Sequence, residues 1–136
     1  MLNEAFRTVK QFNFLARRNI PRAPTMPDAD LKAELAVRIY EEVDEFIEAK
    51  TMREMIDALI DILYVTLDAC VQIGVKPSPF FRIIARNNLS KVFPDGWMRT
   101  NEKGKVIKPP TWIAPDAEID AELARQMQRG IETPTA

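Results

Sequence analysis

Residues 54–65 read EMIDALIDILYV, and this stretch gives the clearest indication of the fold. Most of its residues are Ile, Leu, Met, Val and Ala, a composition typical of a helix that packs into a core. Three carboxylates interrupt it, Glu54, Asp57 and Asp61, and no Lys, Arg or His follows before residue 76. Because this helix is apolar on most of its sides, we expect Asp57 and Asp61 to lie on a largely buried element. An unpaired carboxylate in such a place costs several kcal/mol or takes up a proton.

Length and composition favour one folded domain. The chain has 136 residues, 46% of them hydrophobic and only four of them glycine, which suits a helical globular protein. Its 19 basic and 20 acidic residues nearly cancel, so no general attraction to nucleic acid or to an anionic membrane is expected. Charges run through the first 18 residues, unlike in a secretory signal, and no stretch has the length of a membrane span. We expect a cytoplasmic protein that binds neither membranes nor, stably, nucleic acids.

The absence of histidine restricts the possible chemistry. It excludes Ser-His and Cys-His triads and removes the commonest zinc ligand. A single cysteine, Cys70, excludes an internal disulfide and is expected to be a small core residue. Any reaction must therefore use carboxylates, lysines, hydroxyls or a hard metal ion.

Apolar residues that recur at three- and four-residue steps predict a succession of helices. The predicted helices cover residues 3–18, 31–49, 51–73, about 78–92 and 116–130. Asp28 or Asp30 is expected to cap the second helix and Ser78 the fourth, while Gly74 is expected to end the third.

The region between the last two helices has no helical period. Turn residues dominate 93–116, where we expect an ordered loop or a short hairpin, and 131–136 is expected to be a frayed tail. We therefore predict an all-α fold with a four-helix core and a C-terminal loop or short hairpin. One domain is expected over 1–136, with a core at about 3–116 and a C-terminal helix and tail at 117–136.

Carboxylates form a stripe on each of the second and third helices. The members are Glu41, Glu42 and Glu45 on the second helix and Glu54, Asp57 and Asp61 on the third. Spacings of three and four residues place neighbours on one helix face, where like charges repel. A divalent cation among the two stripes would relieve this repulsion, and Mg²⁺ and Mn²⁺ prefer all-oxygen ligands of this kind. A structural network of distant lysines and arginines is the alternative explanation.

These segments resemble the signature of the all-α nucleoside triphosphate pyrophosphohydrolases, which include the MazG proteins, the dimeric dUTPases and phosphoribosyl-ATP pyrophosphohydrolase. The motif of that superfamily is Glu-x-x-Glu on one helix and Glu-x-x-Asp on the next, and Glu42-x-x-Glu45 matches its first half. Glu54-x-x-Asp57 has the spacing of the second half. The letters DILYV, however, resemble the segment after the motif aspartate, which would make that residue Asp61 and put Ala58 in place of the glutamate. Both registers stay open.

Two further segments extend the resemblance to about residues 6–120. ARNNLSKVFPDG, at 85–96, is similar to an "sNmSK" segment of MazG-like relatives, and EKGKVIKPPTWIAPD, at 102–116, is similar to their lysine-rich ending. By this resemblance the substrate-binding residues are Asn88, Lys91, Lys105 and Lys108. An asparagine suits recognition of a sugar or base and a lysine suits a phosphate, although these lysines could equally belong to solvated turns.

The resemblance implies a MazG-like helical bundle completed by homo-oligomerisation, as a dimer or tetramer. It implies hydrolysis of a nucleoside triphosphate, a dNTP or modified dNTP, between the α and β phosphates as a house-cleaning reaction. The implied Mg²⁺ ligands, with Mn²⁺ as a possible substitute, are Glu42, Glu45, Asp57, Asp61 and Glu54. Glu41 or Glu42 would orient or deprotonate the attacking water. The departure at Ala58 keeps open an alternative, a non-catalytic nucleotide-binding or adaptor module with the same fold.

Overall fold

A computed structural model describes residues 1–132, which form five α-helices and no strand. The helices are α1 (Leu2–Leu15), α2 (Ala29–Glu48), α3 (Met52–Gln72), α4 (Pro77–Leu89) and α5 (Asp116–Glu132). The prediction of an all-α fold is confirmed. None of these five helices is both long enough and apolar enough to cross a membrane.

Most helix boundaries lie within a few residues of their predicted positions. Helix α1 ends three residues early because Arg17 takes a left-handed φ of 56°, which a helix cannot continue. Helix α4 begins at Pro77, so Ser78 lies inside its first turn and the prediction that Ser78 caps it is wrong. Helix α5 extends to Glu132, two residues into the expected frayed tail, and residues 133–136 lie outside the described chain.

The loop between α4 and α5 contains one isolated antiparallel bridge, between Thr100 and Val106. The alternative of an ordered loop, rather than a hairpin of paired strands, is therefore correct for this region. By its contacts the chain forms two compact units: a first unit of residues 1–77 together with the chain from Gln126 onwards, and a second unit of Ser78–Arg125. The organisation as one domain over 1–136 stays a prediction.

Local signals begin both helices of the hairpin in the first unit. The side chain of Asp28 accepts a hydrogen bond from the Leu31 N–H at 2.8 Å, which caps α2 as predicted. Thr51 caps α3 in a reciprocal arrangement with Glu54, a capping box. Because only three residues separate α2 from α3 and the two helices pack together, they run antiparallel.

The core of the first unit lies where α1 packs against the C-terminal half of α3. Val9, Leu67 and Val71 are buried there. Helix α3 also buries Ala58, Asp68 and Gln72. Its N-terminal half, however, exposes an apolar stripe of Ile56, Leu59, Ile60 and Leu63. The expectation that α3 is largely buried is therefore wrong for a single chain, because the helices that pack along it, α1 and α2, leave one side uncovered.

The end of α3 is closed by a glycine and by the proline-rich connection that follows α1. Gly74 has a φ of +73°, as expected for a residue that ends a helix, and a Cβ there would lie 2.3 Å from the Ala23 carbonyl oxygen. The Thr25 N–H donates to the Ile73 carbonyl at 2.9 Å. At 1.5 Å per residue this contact is about 20 Å along the axis from Asp61, so this part of the connection packs on a helix end distant from the carboxylates.

Asp68 of α3 is a buried acid whose basic partners come from other elements. Its Oδ1 atom accepts hydrogen bonds from Asn13 at 2.6 Å and from Arg18 at 2.9 Å. Its Oδ2 atom accepts from Arg38 of α2 at 3.2 Å and from Gln72 at 2.8 Å. Distant arginines therefore pair with this carboxylate, which belongs to neither of the two predicted stripes.

We expect Asp68→Ala to lower the free energy of unfolding by about 3 kcal/mol, the lower end for buried ion pairs because both guanidinium groups are partly exposed. The substitution leaves Arg18 and Arg38 without their shared carboxylate. Urea unfolding followed by circular dichroism measures the change. Asp44→Ala, at an exposed acid of α2, is the control and should stay within about 0.5 kcal/mol of wild type. A loss below about 1 kcal/mol for Asp68→Ala would show that the network contributes little.

Candidate active site

The hairpin of α2 and α3 carries all six predicted carboxylates, and five of them are called here the carboxylate cluster. They are Glu41, Glu42 and Glu45 on α2 and Asp57 and Asp61 on α3. Glu42 and Asp61 are half-buried, and the other three are exposed.

The pKa of Glu42 reflects its burial and the other four members of the cluster. Burial raises the pKa of the Glu42 carboxyl, and the charges of the four other members raise it further, in the order Glu45, Asp61, Glu41 and Asp57. Each of these charges disfavours the ionised form of Glu42. The structure therefore brings together carboxylates that lie up to twenty residues apart in the sequence.

One atom of the cluster lacks any partner in the described structure. The Oε2 atom of Glu42 is shielded from solvent and accepts no hydrogen bond. A buried acceptor left unsatisfied in this way is destabilising by about 1–3 kcal/mol, or more for a charged group. Such an orphaned oxygen among acids is the feature that a bound cation would satisfy, and an all-carboxylate donor set suits Mg²⁺ or Mn²⁺.

The carboxylates of the cluster do not form a complete set of metal ligands in this structure. Within residues 1–132, no three acidic groups lie close enough together to hold an ion in their present conformations. The residue types nevertheless fit a hard divalent ion.

Glu54 has a structural role that the sequence analysis missed. Its Oε2 atom accepts hydrogen bonds from the Lys50 N–H at 2.8 Å and the Thr51 N–H at 3.1 Å, and these bonds lower the pKa of the carboxyl. The Glu54 N–H in turn donates to the Thr51 hydroxyl at 3.2 Å. Thr51-x-x-Glu54 is the sequence signature of a capping box and could have been recognised as such. One oxygen of Glu54 is thus already committed to the start of α3.

A cleft of about 390 Å³ opens beside the cluster at the turn between α2 and α3. Its lining residues are Glu45, Glu48, Ala49, Lys50, Glu54 and Asp57. Lys50 is the basic residue of this lining and was not among the predicted site residues. Its position in the connection just before Thr51 is the signal that could have identified it.

The predicted substrate-binding residues belong to the second unit, where three of them are gathered. The Lys91 Nζ atom donates to the Asn88 side chain at 2.7 Å and lies 5.8 Å from the centre of the Trp112 ring. The Lys108 Nζ atom lies 4.3 Å from the same ring centre. Both ammonium groups thus lie within about 6 Å of one indole ring, the range of a cation–π contact.

Lys105 lies in the turn that follows Asn101. Its backbone N–H donates to the Asn101 side chain at 3.0 Å, and its carbonyl accepts from the Asn101 N–H at 2.9 Å. Its side chain is exposed. The turn therefore fixes the backbone of Lys105 and leaves its ammonium group in solvent.

Comparison with protein families identifies one matching model, that of phosphoribosyl-ATP pyrophosphohydrolase, over residues 9–88. This range includes the whole carboxylate cluster, Glu54 and Asn88, and ends before Lys91, Lys105 and Lys108. A search of curated proteins found no significant match.

The raised pKa of Glu42 predicts a specific pH dependence of stability in the absence of metal. Over the range between its ordinary and its raised pKa, the folded protein holds a proton that the unfolded chain has released. This contribution to the free energy of unfolding is present at low pH and is lost as the pH rises through that range. Glu42→Gln should therefore stabilise the metal-free protein at neutral pH. It should also reduce the fall in the free energy of unfolding as the pH rises.

Urea unfolding in EDTA from about pH 4 to pH 8 tests this expectation. Asp44→Asn, at an exposed acid outside the cluster, is the control, and its free energy of unfolding should depend on pH as that of wild type does. A Glu42→Gln protein that is less stable than wild type at pH 7 would contradict the electrostatic account of the cluster.

Proposed function

Because the chain belongs to the phosphoribosyl-ATP pyrophosphohydrolase family, we propose that it hydrolyses a nucleoside triphosphate between the α and β phosphates at the carboxylate cluster. Enzymes of this family are nucleotide pyrophosphohydrolases and typically depend on a divalent metal. The proposed substrate is a dNTP or a modified dNTP, and the products are a nucleoside monophosphate and pyrophosphate. The observation that carries this proposal is the unsatisfied Glu42 Oε2 atom, surrounded by four other carboxylates.

The cluster would hold the metal through oxygens from both helices. Glu42 and Glu45 of α2 and Asp57 and Asp61 of α3 are the proposed ligands. Glu54 would contribute the oxygen that does not cap α3. Mg²⁺, or Mn²⁺ in its place, would supply Lewis-acid charge that offsets the charge of the phosphates.

A carboxylate of α2 would activate the attacking water as a general base. The water oxygen forms a bond to the α phosphorus, the bond from that phosphorus to the bridging oxygen breaks, and pyrophosphate leaves with the bonding electrons. Glu41 or Glu42 would accept the proton that the water loses.

Substrate binding is proposed for Asn88, Lys91, Lys105 and Lys108. The ammonium groups of Lys91 and Lys108, which both lie near the Trp112 ring, suit the charge of a polyphosphate. The exposed ammonium group of Lys105 is available for the same purpose. Asn88 would recognise the sugar or base through its side-chain amide.

Phosphoribosyl-ATP is a second candidate substrate, and the family match favours it. The bond cleaved would be the same α–β anhydride, so the proposed roles of the carboxylates do not change. A panel that contains the dNTPs, modified dNTPs and phosphoribosyl-ATP would distinguish the candidates by their values of kcat/KM.

A homo-oligomer is also proposed, with a second copy of the chain covering the apolar stripe of α3. The four stripe residues, Ile56, Leu59, Ile60 and Leu63, are spaced as one helix face, and roughly half of each side chain is exposed. An apolar groove of about 220 Å³ between α1 and α3 continues this face, with Val9, Leu63 and Leu67 in its lining. Continuous apolar surface of this kind marks an interaction site on a soluble domain.

Release of pyrophosphate, measured with and without Mg²⁺, tests the proposed activity. We expect Glu45→Gln and Asp57→Asn each to lower kcat/KM by about 100-fold or more, because each removes a direct ligand. Asp44→Asn should retain wild-type activity, and all three variants should keep wild-type helicity. If both cluster variants remain active, the site assignment is wrong. If the wild-type chain binds Mg²⁺ and nucleotides but releases no pyrophosphate, the chain is the non-catalytic nucleotide-binding or adaptor module instead.

Light scattering after size exclusion tests the proposed oligomer. The wild-type chain should elute as a dimer or tetramer, and Leu59→Glu should lower the molecular mass to that of a monomer, because it places a charge in the stripe. Gln11→Glu, at an exposed position of α1, adds the same charge elsewhere and should not change the mass. A monomeric wild-type chain at about 100 μM would exclude this assembly as a stable state.

A further inference from the structure

An ion pair between α2 and α3 lies beside the carboxylate cluster on the same helix–helix contact. The Arg38 guanidinium of α2 contacts Asp68 of α3 at 3.2 Å. Arg38 precedes Glu42 by four residues, which places the two on one face of α2, about 6 Å apart along its axis. Asp68 follows Asp61 by seven residues, or about 10 Å along α3. The pair and the cluster are therefore neighbours across the same antiparallel contact.

Both members of this pair are held in place by other contacts. The Asp68 side chain is only 5% exposed and accepts hydrogen bonds from Asn13 and Gln72 as well. Arg38 also pairs with Glu34 one turn earlier on α2, which orients its guanidinium group. If α2 slid or rotated against α3, the contact would break and leave Asp68 short of one of its charged partners. Buried polar contacts of this kind are known to fix helix register.

We propose that Arg38 is a positioning residue for the carboxylate cluster, acting through Asp68. By holding α2 in register with α3, it keeps Glu42 and Glu45 opposite Asp57 and Asp61. This inference rests on the proposed function, because its consequence is the affinity of the cluster for a divalent metal. Arg38 itself touches neither metal nor substrate in this account.

Arg18 provides a matched control within the same network. It contacts the same carboxylate at 2.9 Å and has nearly the same side-chain exposure, 29% against 27% for Arg38. Arg18, however, follows α1 and also contacts Asn13 of that helix. Its removal therefore weakens the link between α1 and α3 and leaves the link between α2 and α3 intact.

Titration calorimetry with Mg²⁺ compares wild type, Arg38→Met and Arg18→Met, together with thermal unfolding and pyrophosphate release. Both variants should unfold at a lower temperature than wild type. Only Arg38→Met should bind Mg²⁺ more weakly, by on the order of tenfold. In turnover assays, a higher Mg²⁺ concentration should restore most of the kcat of Arg38→Met. Arg18→Met should match wild type in Mg²⁺ affinity.

Arg38→Lys keeps the inference testable if Arg38→Met does not fold. Lysine retains the charge but cannot contact Glu34 and Asp68 with a planar fork, so we expect Mg²⁺ affinity about threefold below wild type. Wild-type affinity in Arg38→Lys, or equal losses in Arg38→Met and Arg18→Met, would overturn the positioning role. A wild-type chain that binds no Mg²⁺ and hydrolyses no nucleotide would instead overturn the proposed function, and the inference with it.

Discussion

Repulsion among the carboxylates of α2 and α3 is the constraint on which the functional account depends. Glu42 lies in the field of four other acids, and one of its oxygens is shielded from water without a hydrogen-bond donor. A chain that served only to fold would gain stability by replacing such a group. A divalent ion bound by the cluster would explain the arrangement, because it would contact the unsatisfied oxygen and offset several negative charges at once.

Two acids of α3, Asp68 and Asp61, have opposite surroundings. Asp68 is more deeply buried than Asp61, yet two arginines and two amides satisfy both of its oxygens. Asp61, two turns away, faces further carboxylates. The contrast separates Asp68, which is fully paired within the fold, from Asp61, for which we propose a functional role and which belongs to a group of neighbouring carboxylates. A shared helix–helix contact links the two, so the structural acid can influence the geometry of the functional group.

Features that depend on local sequence were predictable. The Asp28 cap, the glycine that ends α3 and the helix periods follow from residues within a few positions of each other, and the carboxylate spacing alone indicated the two stripes. Features that depend on tertiary contacts were not. The arginines that pair with Asp68 lie 30 and 50 residues away from it. The resemblance implied a bundle completed by oligomerisation, but which side of α3 stays uncovered depends on the helices that pack against it, and the sequence did not specify that side. The capping role of Glu54 was also predictable from the local pattern Thr51-x-x-Glu54, but the residue was interpreted only as a metal ligand.

The most direct test of the central claim is the pKa of Glu42, measured by nuclear magnetic resonance of the side-chain carboxyl with and without Mg²⁺. Without metal, the account predicts a pKa above the ordinary value for a glutamate, as burial and the neighbouring acids require. Saturating Mg²⁺ should lower it below that value, because a bound cation favours the ionised form. A Glu42 pKa that is ordinary in metal-free protein and unchanged by Mg²⁺ would contradict the claim that these acids form one metal-binding group.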